Sequence, residues 1–412
     1  MIPFLTDAPL EELAARIDAP FYLYDGPAMV AHARELRAAL PSCVDLLYCV
    51  KANANRSLVE LLVPEVQGLD VSSGGELAFM RGLGIPGPFM SFAGPGKSLP
   101  ELRLAIRERA SISVESETEL HRIVSVASQK GTKASIAIRV NPKHTSKLFG
   151  MRMGGQASAF GVPEEDAAAV VRQAMASPHI DLDGLHVFAG TQCLEASALA
   201  ENARQTLDLA AALMTETGAS FRHVNLGGGF GVPYFEGQPD LAPEVGGAAI
   251  AGVLEDRRLQ DTRFSQMRFV LELGRFFVGR FGAYVARVID VKETRGKRIV
   301  VLDGGMNHVF PATGNFGQLV KKNYPIVNLS RVDDPCLQDV VGPLCTPIDR
   351  LAREAVLPRC RIGDAIAFLH VGAYSYAASP LLFLGHPTPQ ELLWNGVDAR
   401  VVRPSFTMGH FA

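Results

Sequence analysis

Neither sign of charge dominates this 412-residue chain: 40 Lys and Arg stand against 43 Asp and Glu, a formal net charge of −3. No basic run is present, so there is no field to attract nucleic acid or anionic lipid, and neither is expected as a partner. The six cysteines, at 43, 49, 193, 336, 345 and 360, contain no C-x-x-C pair, which argues against a zinc site and against a disulfide framework. The ten histidines show no H-x-x-x-H spacing, and no metal is expected. No apolar run approaches the roughly 20 residues of a membrane span. The opening Met1-Ile2-Pro3-Phe4-Leu5-Thr6-Asp7 lacks the basic start and apolar core of a signal peptide. A cytoplasmic protein with no membrane partner is the expectation.

What is present is alternation. Apolar strand candidates recur at 46–50, 69–71, 89–92, 111–114, 135–140, 182–188, 221–225 and 269–273. Helical stretches lie between them, as at 57–62, 75–81, 99–109, 117–128, 164–176 and 196–217. Eight strands alternating with helices over about 250 residues predict an α/β fold with a (β/α)8 TIM-like barrel. Beyond residue 276 the texture changes to Val-, Ile- and Thr-rich runs such as 283–291 and 297–302, broken by Gly and Pro, which reads as a β-rich domain. The expected division is a barrel over 26–275 and a β domain from 1–25 and 276–412.

In a barrel the C-terminal ends of the strands face one site, and here those ends carry Lys51, Asp70, Glu115, Arg139, Phe188, Gly227 and Glu272. Lys51 follows the apolar run Leu46-Leu47-Tyr48-Cys49-Val50. A lysine that simply extends into solvent is the bland reading of those residues alone. Asn225-Leu226-Gly227-Gly228-Gly229-Phe230-Gly231 follows the seventh strand, where bare backbone N–H groups can approach phosphate oxygens. Gly94-Pro95-Gly96-Lys97-Ser98 ends like a nucleotide P-loop, but Ser91 stands where the first glycine is required, so it reads as a loop entering a helix. Glu272 could form an ion pair with Arg275, or could keep a pyridine nitrogen protonated. Lysine, phosphate loop and carboxylate together describe a pyridoxal 5'-phosphate site.

With these motifs in place the chain resembles the alanine racemase-fold pyridoxal phosphate decarboxylases, the group of diaminopimelate and ornithine decarboxylases. The resemblance is carried by 48–53, 70–76, 227–231, 272–275, Gly342-Pro343-Leu344-Cys345 and Gly372-Ala373-Tyr374. It implies a Schiff base on Lys51, phosphate held by Gly228, Gly229, Arg275 and Tyr374, and a ring nitrogen paired with Glu272. It also implies a homodimer in which Cys345 reaches the neighbouring chain's cofactor as a second catalytic residue. Asp70, Arg139, Thr191 and Gly274 complete the expected cofactor set, Thr191 in the place of a phosphate-binding serine.

The departures concern the substrate. By alignment of Gly184-Leu185-His186-Val187-Phe188, the family's ring-stacking histidine falls on Phe188, an aromatic that can still cover a ring face. His186 is left as a candidate substrate residue or an ordinary buried histidine. Phe310 stands where diaminopimelate decarboxylases carry an arginine, and Thr346 follows Cys345 where they carry an acid. A site without such partners rejects the charged substrate. The chain is similar, within the family, to decarboxylases of amino acids tethered to an acyl-carrier protein in antibiotic assembly. Here the shared stretches are 188–192, 314–318, 322–325, 342–347 and 385–389. That likeness implies α-decarboxylation of an aspartyl- or glutamyl-type group on an aminoacyl-loaded carrier protein. A decarboxylase of a free amino acid and a non-catalytic pyridoxal phosphate-binding protein are the alternatives.

Overall fold

The computed structural model describes residues 9–410 apart from 236, 317, 319, 320 and 333. Met1–Asp7, Gly317, and the outermost residues of the expected β domain, 1–8 and 411–412, lie outside the described residues. The chain opens with α1 (Leu10–Arg16), β1 (Phe21–Asp25) and α2 (Gly26–Ala39). Asp25 ends the strand and caps the helix, its side chain accepting from Ala28 N, with Pro27 in the first turn, where its missing N–H leaves no helical bond unmade.

Eight parallel strands then close a barrel: β2 (Val44–Cys49), β3 (Gly68–Val71), β4 (Met90–Phe92), β5 (Ser111–Val114), β6 (Ala134–Asn141), β7 (Ile180–Val187), β8 (His223–Gly228) and β9 (Arg268–Leu273). The pairing order is β5-β4-β3-β2-β9-β8-β7-β6, with β5 returning to β6. Strands flanked by helices on one face and a packed interior on the other must be apolar throughout. In β2 only Asp45 is not fully buried.

The helices outside the barrel are α3 (Arg56–Leu62), α4 (Gly74–Gly82), α5 (Leu99–Glu108), α6 (Glu117–Gln129), α7 (Glu164–Ala176), α8 (Ala196–Thr217) and α9 (Pro243–Gln260). Buried Leu199, Ala203, Leu207, Ala210 and Met214 mark the inward stripe of α8. The would-be P-loop is the entrance to α5. Ser98 and Glu101 form its capping box, and Lys97 turns inward to donate to Gly94 O and the buried Glu119 carboxylate.

The second layer is a mixed sheet: β10 (Gly282–Thr294), β11 (Lys297–Leu302), β12 (Ile326–Asn328), β13 (Pro335–Val341), β14 (Arg350–Pro358), β15 (Ala365–Leu369), β16 (Gln390–Trp394) and β17 (Ala399–Arg403). Its main path is β14-β13-β11-β10-β1-β16-β17, with β15 between β10 and β12. β1, from the far end of the chain, is thus an interior strand, antiparallel to β10 and parallel to β16. Glu391 ties the layers together, accepting from Tyr24 Oη at 2.6 Å and from Asn55 Nδ2, at the mouth of α3, at 3.0 Å.

Candidate active site

β2 stops at Cys49, and Val50–Ala52 forms a single 3-10 turn that lifts Lys51 onto the C-terminal rim. Its Nζ donates to Asp70 Oδ2 at 2.6 Å; the lysine side chain keeps 40% of its surface while Asp70 has none. Burial opposes the lysine's charge, but Asp70, with Cys49 and Glu272 behind it, outweighs burial and holds the ammonium well above its usual value. Asp70 is raised as well, by burial and by the nearby Glu272 carboxylate, against the pull of Lys51. Both partners move upward, the lysine because of the Asp70 charge and Asp70 because burial and Glu272 outweigh the lysine.

Glu272 closes β9 and is buried. Asn225 Nδ2 donates to its Oε1 at 2.6 Å, and His186 Nε2 lies 3.3 Å from its Oε2. Burial alone would raise this carboxyl; His186, Lys51 and Asn225 overcome it and bring it down to about 2. The ion pair with Arg275 considered from the sequence does not form.

Arg275 instead donates to Tyr234 Oη at 2.8 Å and packs under the Tyr374 ring, 4.7 Å from its centroid. Its Nε is buried without a partner, and no carboxylate among the described residues pairs with it. Tyr374 adopts a left-handed φ of 57°, a conformation that costs an L-residue roughly 1–2 kcal/mol. Its N–H is held by Ala52 O at 2.7 Å, next to Lys51.

Beyond β8 the backbone turns at Gly229, φ 92°. A Cβ on Gly228 would collide with the Glu272 carbonyl oxygen, and one on Gly229 with Gly190 O, so the loop can hold this path only without side chains. Cys193 N donates to Gly229 O, and Gly231 N to Cys193 O, both at 2.8 Å, which lays Thr191 along the glycine loop. Gly274 packs against Ala52 and Cys49 under the lysine turn. Phe188 covers Gly227, and Arg139 lies 5.8 Å from the Phe188 ring while donating to Glu115 at 2.7 Å.

The remaining sites stand apart. His186, read from the sequence as a candidate substrate residue or an ordinary buried histidine, is 1% exposed with Nε2 3.3 Å from Glu272 Oε2. Cys345 is exposed on the turn after β13, and no hydrogen bond or ion pair among the described residues joins it to the Lys51 cluster. Thr346 shares that turn, its carbonyl accepting from Asp349 N. Phe310 meets Phe316 edge-on at 6.3 Å, and Phe316 lies 6.4 Å from Tyr374, placing an aromatic wall beside Arg275. Asn225 and Tyr234 were not singled out from the sequence. Asn225 had a signal, a polar residue inside an apolar barrel strand; Tyr234, in a loop, had none.

The residues fit a phosphorylated pyridine aldehyde. One amine stands on the rim, a buried carboxylate is held ionised near it, side-chain-free backbone follows β8, and a guanidinium keeps an unmet Nε donor. Residues 28–279 match the family model of the pyridoxal-dependent decarboxylase, pyridoxal binding domain. The chain belongs to the pyridoxal-dependent decarboxylases. It is 34% identical over 405 residues to the L-glutamyl-[BtrI acyl-carrier protein] decarboxylase of Niallia circulans, covering 97% of this chain and 94% of that one. It is 30% identical to the 2-[(L-alanin-3-ylcarbamoyl)methyl]-2-hydroxybutanedioate decarboxylase of Staphylococcus aureus, over 90% of this chain and 92% of the relative. The solved diaminopimelate decarboxylase of Helicobacter pylori, in complex with L-lysine, superposes with a TM-score of 0.85 at 28% identity, covering 96% of each chain. Pyridoxal phosphate is therefore the cofactor of this decarboxylase, and the fold is that of the alanine racemase-like decarboxylases. Among the described residues no helix is long and apolar enough to cross a membrane.

Proposed function

We propose that this decarboxylase removes the α-carboxylate of an acidic amino acid, of aspartyl or glutamyl type, attached through its side-chain carboxyl to an acyl-carrier protein. The observation that carries the reading is the aromatic, uncharged wall of Phe310, Phe316 and Tyr374 beside Arg275. A free amino acid with a charged distal end would lose its hydration there without a partner, whereas a neutral thioester arm would not. The Niallia circulans relative, whose name specifies a carrier-bound glutamyl group, supports the same choice.

The bound cofactor supplies an electron sink for the pair left on Cα when CO2 departs. Lys51 is the amine that would hold the cofactor through its aldehyde. Arg275, Gly228, Gly229, Thr191 and Tyr374 would bind the phosphate, Phe188 would cover the ring, and Glu272 would keep a proton on the ring nitrogen. Asp70 orients Lys51, Gly274 lets the lysine turn pack closely, and Arg139 braces Phe188 from the rim. In a homodimer, Cys345 from the second copy, or Lys51 itself, returns a proton to Cα.

Mass spectrometry of a loaded carrier protein tests the substrate. Loss of CO2 from aspartyl- or glutamyl-loaded carrier, with the free amino acids untouched, is the expected result; rapid turnover of a free amino acid would reject the carrier and favour a substrate of the diaminopimelate, ornithine or lysine kind. That second reading is favoured by the likeness to the Helicobacter pylori structure.

A further inference from the structure

We propose that His186, anchored by Ser113, is a positioning residue that holds and aims the Glu272 carboxylate from the floor of the barrel. The inference rests on the family's cofactor and not on the carrier-bound substrate. His186 lies in register with Arg139 on β6 and Asn225 on β8. Its ring is 1% exposed, with Nδ1 3.0 Å from Ser113 Oγ on β5 and Nε2 3.3 Å from Glu272 Oε2. When Ser113 donates its hydroxyl proton to Nδ1, the neutral ring carries its N–H on Nε2, the nitrogen that faces the carboxylate.

His186 Nε2 stands at ion-pair distance from its oxygen and makes no hydrogen bond, whereas the other oxygen of Glu272 accepts one. Asn225 Oδ1 accepts from Gly227 N at 2.9 Å, which turns Nδ2 toward Glu272 Oε1. Each oxygen therefore faces one donor from below and retains acceptor capacity for the ring nitrogen above. The charged and titratable groups facing this carboxylate are Lys51, Asp70, Cys49 and His186. With the cofactor bound, Lys51 would be taken up by its aldehyde, and Asp70 repels Glu272, so His186 would be the member of this set left to stabilise the anion.

A buried histidine serving packing alone needs no such line of partners. Here the line also leads outward. A cavity of about 280 Å3 at the N-terminal mouth of the barrel is lined by Ser91, Ser111, Ser113 and Asn225, with Asp183 and His223 near its entrance. Ser113 and Asn225 thus join the underside of the site to the cavity at the opposite end of the barrel.

The test uses holoenzyme carrying cofactor labelled with 15N at the ring nitrogen, whose NMR shift separates the protonated from the deprotonated ring. The wild type is expected to keep the nitrogen protonated from neutral to mildly alkaline pH, and His186→Gln, which retains an N–H donor, to do the same. His186→Leu is expected to show a deprotonated nitrogen within that range, with kcat down about tenfold or more, as for one unit of displaced acidity, and KM little changed. A His186→Leu nitrogen as protonated as the wild type's throughout overturns the proposal. If that variant does not fold, Ser113→Ala decides: a smaller shift in the same direction supports the positioning role of His186, and a wild-type titration overturns it.

Discussion

A lysine at the end of a buried strand has no reason to sit there unless something answers its charge. For Lys51 that answer is Asp70, contributed by the next strand at 2.6 Å. The expected outcome for Lys51→Ala is a chain that retains no cofactor mass after borohydride reduction, where the wild type gains one; a covalently labelled variant would remove Lys51 from the centre of the site. Lys51 and Glu272 were legible in the sequence only as a set: each ends an apolar run, but alone each had a bland reading, a lysine extended into solvent or an ion pair with Arg275, until the glycine loop joined them. His186 was not, since its meaning depends on Ser113 and Glu272, which meet it only when β5, β7 and β9 are arranged around one axis. The same holds for Arg275. Spacing suggested Glu272 as its partner, yet the chain turns between them, and Tyr234 from a distant loop takes that place.

The strand-to-loop junction at Gly228 shows how an element imposes its own residue. Gly228→Ala would set a methyl against the Glu272 carbonyl oxygen, and backbone cannot yield as a side chain does. We expect a loss of about 1–3 kcal/mol, the usual cost of forced overpacking, together with weaker cofactor retention. A melting temperature and cofactor content equal to the wild type's would show that the junction tolerates a side chain. Most elements could be read from period and composition: all eight barrel strands, and α7 and α8 to the residue. The helix α9 was not, because Gly246, Gly247 and Gly252 lower its intrinsic preference. The structure gives two of these a reason, since a Cβ on Gly246 would strike Phe230 and one on Gly247 would strike Ala39 of α2. Close packing against α2 overrides the local preference there.

Taken as a whole, the fold buries several imidazoles, one of them, His370, packed 6.4 Å from the Tyr234 ring. Burial pushes His32 down to about 3, and His308 and His370 each to about 4, against about 6.5 in an unfolded chain. Between these values the unfolded chain binds protons that the folded one refuses. Stability contributed by these groups is therefore present above about pH 6.5 and is lost as the pH falls, with a slope approaching about 1.4 kcal/mol per pH unit for each imidazole. Thermal melting followed from neutral pH to mild acid should show a steady fall in Tm; a flat profile would mean that these rings accept protons in place. A different consequence follows from β1. The barrel's pairing is complete once Leu273 has been made, whereas β1 needs Gln390–Trp394 on its open side. During synthesis the earliest strand of the chain must therefore wait for one of the last. The order in which the two layers form is written into the direction of translation: the layer that binds the cofactor can close first, and the one that completes the molecule closes only when the chain is nearly finished.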